Sequence, residues 1–338
     1  FGDRRIVDEN WAAMERCLAR AAETKYRTED LPECRNYQWN DWLSLTKYES
    51  CAYKPEFSSW QNGKLLPEAL LYWNYLGGCY WAWDAQLMRT MAAGTGRTAD
   101  VAKYAKMEGE AKAYLKKTFF DSADGLIVPA FRGMQTAALF ALKLGLVEGA
   151  AREKTLADLK ASIAANRGRL HTGFLGTSIA LDVLADNGLA DLAYDILLGH
   201  EFPGWLYSVD QGATTIWERW NSYTKEKGFG PAHMNSFNHY AYGCVAGWLY
   251  RTVAGIRPDP ERGGYRHFLL QPVPDPRLGW AKASLRTEAG TIVSSWRYRA
   301  DGSCEFKFTV PEGTTATVKW NGTSREYGPG TYDVESGR

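Results

Sequence analysis

The sequence has 338 residues, which is enough for one large domain or for a large domain followed by a small one. Its 40 basic and 39 acidic residues nearly cancel, so the chain lacks the basic surplus that is typical of proteins binding nucleic acid or an anionic membrane. Hydrophobic residues make up 45% of the chain, so a sizeable core can form, but no apolar run is long enough to span a membrane.

The chain up to about residue 256 has the periodicity of a series of helices. Apolar residues recur every three to four positions, and glycines such as Gly145 and Gly188 mark the breaks. Pro67 occupies the first turn of one long helix, which is apolar on most sides and should be buried. The predicted helices cover residues 3–24, 67–93, 98–119, 133–145, 149–166, 174–187, 189–200 and 235–254.

Residues 25–66 lose this periodicity and form a long irregular segment. Such segments in compact domains are usually functional or disordered, and the aromatic content of this one argues against disorder. Trp39, Asp41 and Trp42 therefore either line a pocket or pin the loop to the core.

The helices predict a mainly α fold built from antiparallel helix pairs. No fixed short repeat is present, so a solenoid of identical units is disfavoured. An α/α toroid, with inner and outer helices alternating around an axis, fits better because helices 67–93 and 235–254 are apolar on both sides. In a toroid the loops at one end converge on a central pocket. This arrangement would bring together residues 36–43, 171–176, 205–223 and 233–240.

The pattern changes to alternating apolar and polar residues after Arg257-Pro258-Asp259-Pro260. Turn signals such as Asp301-Gly302 and Asn321-Gly322 separate the alternating runs, which is typical of antiparallel strands. The predicted strands cover residues 268–272, 281–285, 291–298, 304–310 and 315–320. We therefore expect a helical domain over residues 1–256 and a small antiparallel β-sandwich over residues 257–338.

The stretch from Asp210 to Tyr223 combines a carboxylate with aromatic and hydrogen-bonding side chains. Glu218 lies between Trp217 and Trp220, and a second polar and aromatic run follows at 233–243. A pyranose offers C–H faces that stack on rings and hydroxyls that need directional partners, so these runs suggest a sugar pocket with glycosidic-bond chemistry. The 14 tryptophans favour the same interpretation, although large helical cores also use tryptophan.

Several motifs resemble the bacterial α-L-rhamnosidases, a glycoside hydrolase family. The stretches that carry the resemblance are His171–Thr177, Gln211–Trp220, Met234–Ala241 and Ala254–Ile256. The resemblance implies an (α/α)6-type toroid, here incomplete at its N-terminus, followed by a β-sandwich. It also implies an inverting hydrolysis that releases terminal α-L-rhamnose. In this resemblance Glu218 is the general base, His239 contacts the sugar and Trp42 lines the pocket.

One motif of the family is absent from this sequence. The general acid of the family is a glutamate in an Asp-x-x-x-Asp-Glu-Arg motif, which precedes the run that matches Gly2 to Arg5. We therefore expect a missing N-terminal segment, or a partner chain, to supply the acid, so that the 338 residues are the carboxyl-terminal part of a longer enzyme. The alternatives are a non-catalytic remnant that still binds carbohydrate, and a helical scaffold that binds a protein.

The candidate site therefore has Glu218 as its catalytic residue and a set of substrate-binding residues. Those residues are His239, Trp42, Asp41, Trp217, Trp220, Trp39 and Trp205. Each has a structural alternative: an ion pair for Glu218, a core hydrogen bond for His239, a cap for Asp41 and packing for the tryptophans. We expect no cofactor and no metal, because the six cysteines are scattered without ligand spacing. Free cysteines mildly favour a reducing, cytoplasmic compartment.

Overall fold

The computed structural model describes residues 3–27, 40–46, 60–61, 64–232, 234–259, 262 and 264–335. The chain divides into two compact units. The helical unit comprises Ala12–Arg89 and Ala99–Cys244, and the β unit comprises the chain up to Trp11, Thr90–Thr98 and everything from Val245 onward. No helix in the described part of the chain has the length and hydropathy of a membrane span.

Eight helices precede residue 211 in the described ranges, and most match the predicted ones closely. They are α1 (Arg5–Thr24), α2 (Pro67–Gly94), α3 (Thr98–Phe119), α4 (Gln135–Lys143), α5 (Gly149–Ala165), α6 (Phe174–Asp186), α7 (Ala190–Leu197) and α8 (Trp205–Asp210). A 3-10 turn at Pro129–Phe131 precedes α4. Two short hairpins, β1 (Trp60–Gln61) with β2 (Lys64–Leu65) and β3 (Tyr223–Thr224) with β4 (Gly228–Phe229), complete this part of the chain.

Buried and solvent-facing helices alternate along the helical unit. Helix α2 buries Tyr75, whose hydroxyl donates to the Ala137 carbonyl of α4 at 2.9 Å and whose ring packs on Phe119 and Phe131. Helices α4 and α6 pack on each other, while α3 and α5 keep a charged face in solvent. This alternation is the arrangement of helix pairs that the periodicity predicts.

The predicted helix over residues 235–254 is wrong in its first part. Residues 235–240 are irregular, a 3-10 turn covers Ala241–Cys244, and helix α9 (Val245–Trp248) continues into a π-helical turn at Leu249–Val253. The backbone of the irregular part bonds elsewhere, because the His239 N–H donates to the Ile216 carbonyl at 2.9 Å. Backbone N–H groups that bond to another segment cannot also form the hydrogen bonds of a helix.

Two four-stranded sheets of the β unit confirm the predicted sandwich. Their strands are β5 (Ile256–Pro258), β6 (His267–Leu270), β7 (Trp280–Thr287), β8 (Gly290–Tyr298), β9 (Cys304–Val310), β10 (Thr315–Trp320), β11 (Thr323–Tyr327) and β12 (Gly330–Glu335). The sheet orders are β11-β10-β6-β5 and β12-β9-β8-β7, antiparallel except for the β6–β10 pair. Phe306 of one sheet packs on Trp320 of the other with centroids 4.9 Å apart, so aromatic rings fill the interior.

Candidate active site

Two segments of the helical unit run side by side, one carrying Glu218 and the other His239. The Glu218 N–H donates to the Ser236 carbonyl and the His239 N–H donates to the Ile216 carbonyl, both at 2.9 Å. The Thr215 hydroxyl adds a third link, to the Phe237 carbonyl. Glu218 and His239 therefore lie on adjoining, mutually bonded segments, although they are 21 positions apart in the chain.

The Glu218 carboxylate is half-buried and held at one oxygen. Its Oε2 accepts the Ser236 N–H at 2.9 Å, a charge-assisted bond that fixes the side-chain orientation. Within the described residues its Oε1 has no hydrogen-bond partner. The group therefore combines a fixed geometry with one oxygen that can accept a proton from water.

The bonds around His239 define which ring nitrogen can donate. The Ala241 N–H donates to Nδ1 at 3.3 Å, so the neutral ring carries its proton on Nε2. The ring packs on Phe174, with centroids 4.9 Å apart, and stacks on Tyr240 at 5.3 Å. A ring fixed by these contacts, with its proton on Nε2, is suited to donate to a sugar hydroxyl.

The tryptophans that precede and follow Glu218 in the chain pack against other aromatic rings. Trp220 stacks on Tyr242 with centroids 3.7 Å apart, and Trp205 meets the Trp220 ring edge-on at 5.2 Å and donates from Nε1 to the Tyr242 carbonyl. Trp217 is buried against Phe237. The three indoles also line a cavity of about 310 Å³, within the size range of small-ligand pockets, but neither Glu218 nor His239 is among the residues that line it.

Asp41 forms the N-terminal cap of α6. Its carboxylate is 2% exposed and accepts the N–H groups of Gly173 and Gly176, both at 2.9 Å, and the Thr136 hydroxyl. Burial raises the pKa of Asp41, and the bonds from Thr136 and the two glycines oppose that rise. The observed contacts are those of the capping alternative.

The cap fixes the Trp42 loop against the start of α6. The Phe174 N–H donates to the Trp42 carbonyl at 2.9 Å. A Cβ on Gly173 would lie 2.1 Å from the Asp41 carbonyl oxygen, so only glycine allows this close approach. Phe174 thus links the Trp42 loop to His239.

Two protein-family models together match almost the whole chain. Residues 1–253 match the model of the bacterial α-L-rhamnosidase six-hairpin glycosidase domain, and residues 255–334 match that of the C-terminal domain of the same enzymes. The chain belongs to the bacterial α-L-rhamnosidase family. The match confirms the resemblance seen in the sequence and the predicted fold class of helix pairs followed by a β-sandwich.

The relatives are much longer than this chain. An α-L-rhamnosidase of Formosa agariphila is 34% identical over 319 residues, which are 94% of this chain and 32% of that protein. One of Streptomyces avermitilis is 38% identical over 240 residues, 71% of this chain and 22% of that protein. The chain thus spans about a third or less of these curated relatives.

Solved structures show the same fold. The crystal structure of Streptomyces avermitilis α-L-rhamnosidase complexed with L-rhamnose superimposes with a TM-score of 0.78 at 28% identity, covering 100% of this chain and 31% of that one. The α-L-rhamnosidase of Aspergillus terreus has a TM-score of 0.74 at 24% identity, covering 88% and 33%.

One member of the predicted rhamnosidase site, Trp39, lies outside the described residues. His233, in the polar and aromatic run at 233–243, and two of the six cysteines, Cys34 and Cys51, also lie outside them. Sequence reasoning did not single out Ser236 or Phe174, whose roles depend on contacts with distant segments. Among the described residues no group of His, Cys, Asp or Glu is placed to hold a metal ion.

Proposed function

We propose that the protein carrying this chain is an inverting glycoside hydrolase that releases terminal α-L-rhamnose. Residues 1–256 would belong to its catalytic domain and residues 257–338 would form its C-terminal β-sandwich domain. The observation that carries the proposal is the pairing of residues 215–218 with residues 236–239, which puts Glu218 and His239 on neighbouring segments. The name of the curated relatives, α-L-rhamnosidase, supplies the substrate class.

In this proposal Glu218 is the general base. Ser236 holds Oε2, and Oε1 accepts a proton from the water that attacks the anomeric carbon. Attack from the face opposite the leaving oxygen inverts the anomeric centre. An inverting site needs about 6.5–9.5 Å between its two carboxyl groups so that this water fits.

The remaining residues would bind the sugar and exclude water. His239 donates from Nε2 to a hydroxyl, and Trp42, on the loop that Asp41 anchors, lines the pocket. Trp205, Trp217 and Trp220 would contribute the aromatic side chains of the site, since all three line one cavity close in sequence to Glu218. Low water content near the carboxylate strengthens its interactions with the developing charge.

The general acid would come from outside residues 1–338, because no Asp-x-x-x-Asp-Glu-Arg motif occurs in this sequence. That absence also supports the second candidate, a carbohydrate-binding remnant without catalysis. In the first case the acid would be a carboxyl group that approaches Glu218 from another segment or chain. In the second case the pocket would bind rhamnose but turn over no rhamnoside.

The test uses the full-length protein that contains this chain and an aryl α-L-rhamnoside. Glu218→Gln keeps an oxygen to accept the Ser236 N–H but removes the base, so kcat should fall about a thousandfold with little loss of stability. Glu153→Gln on the exposed face of α5 is the matched control and should leave kcat unchanged. Turnover by Glu218→Gln near that of the wild type would refute its role, and rhamnose binding without wild-type turnover would favour the remnant.

A further inference from the structure

The helical unit contains a second, larger cavity beside the loop that begins α6. Its volume is about 960 Å³, near the upper end of the range for small-ligand sites. Four stretches that are distant in sequence contribute to its wall. Among the polar and aromatic lining residues are Thr46, Arg132, Asn166, Arg167, His171 and Phe202.

The described lining of this cavity carries positive charge and no carboxylate. Arg132 donates from Nε to the Ile127 carbonyl and from Nη2 to Asp124, which leaves Nη1 for a ligand. Arg167, at the end of α5, is exposed and forms no ion pair within the described residues. Glu201 lies next to Phe202 in sequence, but Arg169 approaches it to 3.9 Å.

The same wall offers an apolar surface. Phe202 is 37% exposed, and the Tyr207 ring meets it edge-on with centroids 5.5 Å apart and planes at 77°. Pro203, Leu45 and Met134 continue this surface. A cavity wall that contains both an aromatic side chain and guanidinium groups suits a sugar ring that carries an acidic substituent, because the ring packs on the aromatic side chain while the acid pairs with arginine.

The cavity adjoins the proposed catalytic site through one short segment. The His171 carbonyl accepts the Leu45 N–H and the Ser44 hydroxyl, and its N–H donates to Gln135, so this wall is fixed. Phe174, three residues further on, packs on His239. Three residues span at most about 10 Å. His171, in the wall of the cavity, therefore lies within about 10 Å along the backbone of the residue that packs on His239.

We propose that this cavity binds an anionic saccharide, a sugar unit that carries a carboxylate or a sulfate group. The inference that this sugar unit is the neighbour of rhamnose in the substrate rests on the proposed function. The inference that the cavity binds an anionic sugar does not rest on it. Arg167 and Arg132 hold the acid group, with Arg167 as the more accessible of the two. Phe202 supports the ring.

Calorimetric titration of the full-length protein that contains this chain tests this directly, with methyl glucuronide, glucose 6-sulfate and neutral methyl glucoside as the three ligands. Arg167→Asn is the test variant, since asparagine tolerates the positive φ of 57° at this position. Lys160→Gln on α5 is the control, because it removes one exposed positive charge outside the cavity. Thermal unfolding of both variants confirms that they fold.

At least one acidic sugar should bind about tenfold or more tightly than methyl glucoside, the difference expected from one charge-assisted bond. High salt and Arg167→Asn should each remove most of that preference, while Lys160→Gln should keep it. Which acidic sugar binds identifies the acid group. Equal affinity for all three ligands, no binding at all, or equal losses in both variants would overturn the proposal. Because no step of the assay requires hydrolysis, its outcome is independent of whether Glu218 is a base.

Discussion

Glu218 and Ser236 bond to each other twice. The Glu218 N–H donates to the Ser236 carbonyl, and the Ser236 N–H donates back to Glu218 Oε2, both at 2.9 Å. The same pair of residues thus fixes both the backbone and the side chain of the carboxylate. This reciprocal contact is the physical basis for treating Glu218 as a prepositioned group and not as a mobile surface side chain.

Shortening the Glu218 side chain tests whether the position of its carboxylate matters for catalysis in addition to its charge. Glu218→Asp keeps the carboxylate but withdraws it by one methylene, so it loses the Ser236 N–H and its alignment with water. We expect kcat for an aryl α-L-rhamnoside to fall about a hundredfold, as misplacement by about 1 Å can cost that much. The free energy of unfolding should fall by about 1 kcal/mol. Glu153→Asp on α5 serves as the control in both assays, and a fully active Glu218→Asp would show that the Ser236 contact has no catalytic importance.

The stereochemistry of the product offers an independent test. A base that activates water on the far face of the sugar gives β-L-rhamnose first from an α-L-rhamnoside. Proton NMR of the anomeric signals in the first minutes of hydrolysis by the full-length protein measures this before mutarotation. Initial formation of the α-anomer would instead indicate a retaining reaction, with a carboxylate as nucleophile.

The fold was largely predictable wherever periodicity reflects burial on one face. Helix α3 and strands β9 and β10 have the predicted bounds, because their apolar residues alternate with charged ones at helical or strand spacing. Strand β11 was missed because four of its five residues are exposed and it shows no alternation. The segment 235–240 was predicted as helix because its composition does not reveal that its backbone bonds to residues 215–218.

The candidate site was predictable as motifs but not as contacts. The Trp-Glu-Arg-Trp run identified Glu218, and the run around His239 identified the second segment. Asp41 is different, since its partners Thr136, Gly173 and Gly176 lie 95, 132 and 135 positions further along the chain. Contacts over such distances depend on tertiary packing, which no local pattern encodes.

The cap that Asp41 provides should make a large contribution to stability. Asp41→Ala removes the acceptor of two buried N–H groups and of the Thr136 hydroxyl, so we expect the free energy of unfolding to fall by about 2–4 kcal/mol. Urea unfolding of the 338-residue chain measures it. Asp121 is the matched control, since it accepts one N–H, from Ala123 at 2.9 Å, on an exposed turn. Asp121→Ala should lower the free energy of unfolding by about 0.5 kcal/mol. Equal losses for Asp41→Ala and Asp121→Ala would contradict the capping role of Asp41.

Asp84 on α2 should make stability depend on pH in a defined direction. Burial raises its pKa to about 6 from an ordinary 3.8, while the Tyr26 hydroxyl, 3.4 Å from Oδ2, opposes the rise. The folded state therefore binds this proton more tightly than the unfolded chain does. The stabilisation is complete below the ordinary pKa and is lost as pH rises through about 6.

Asp84→Asn keeps the Tyr26 contact without a titrating proton, so the wild type should lose stability relative to this variant between about pH 4 and about pH 7. Urea unfolding across that range measures the difference, with Asp121→Asn as the exposed control. A difference between wild type and Asp84→Asn that stays constant with pH would show that Asp84 titrates as an ordinary solvated carboxylate.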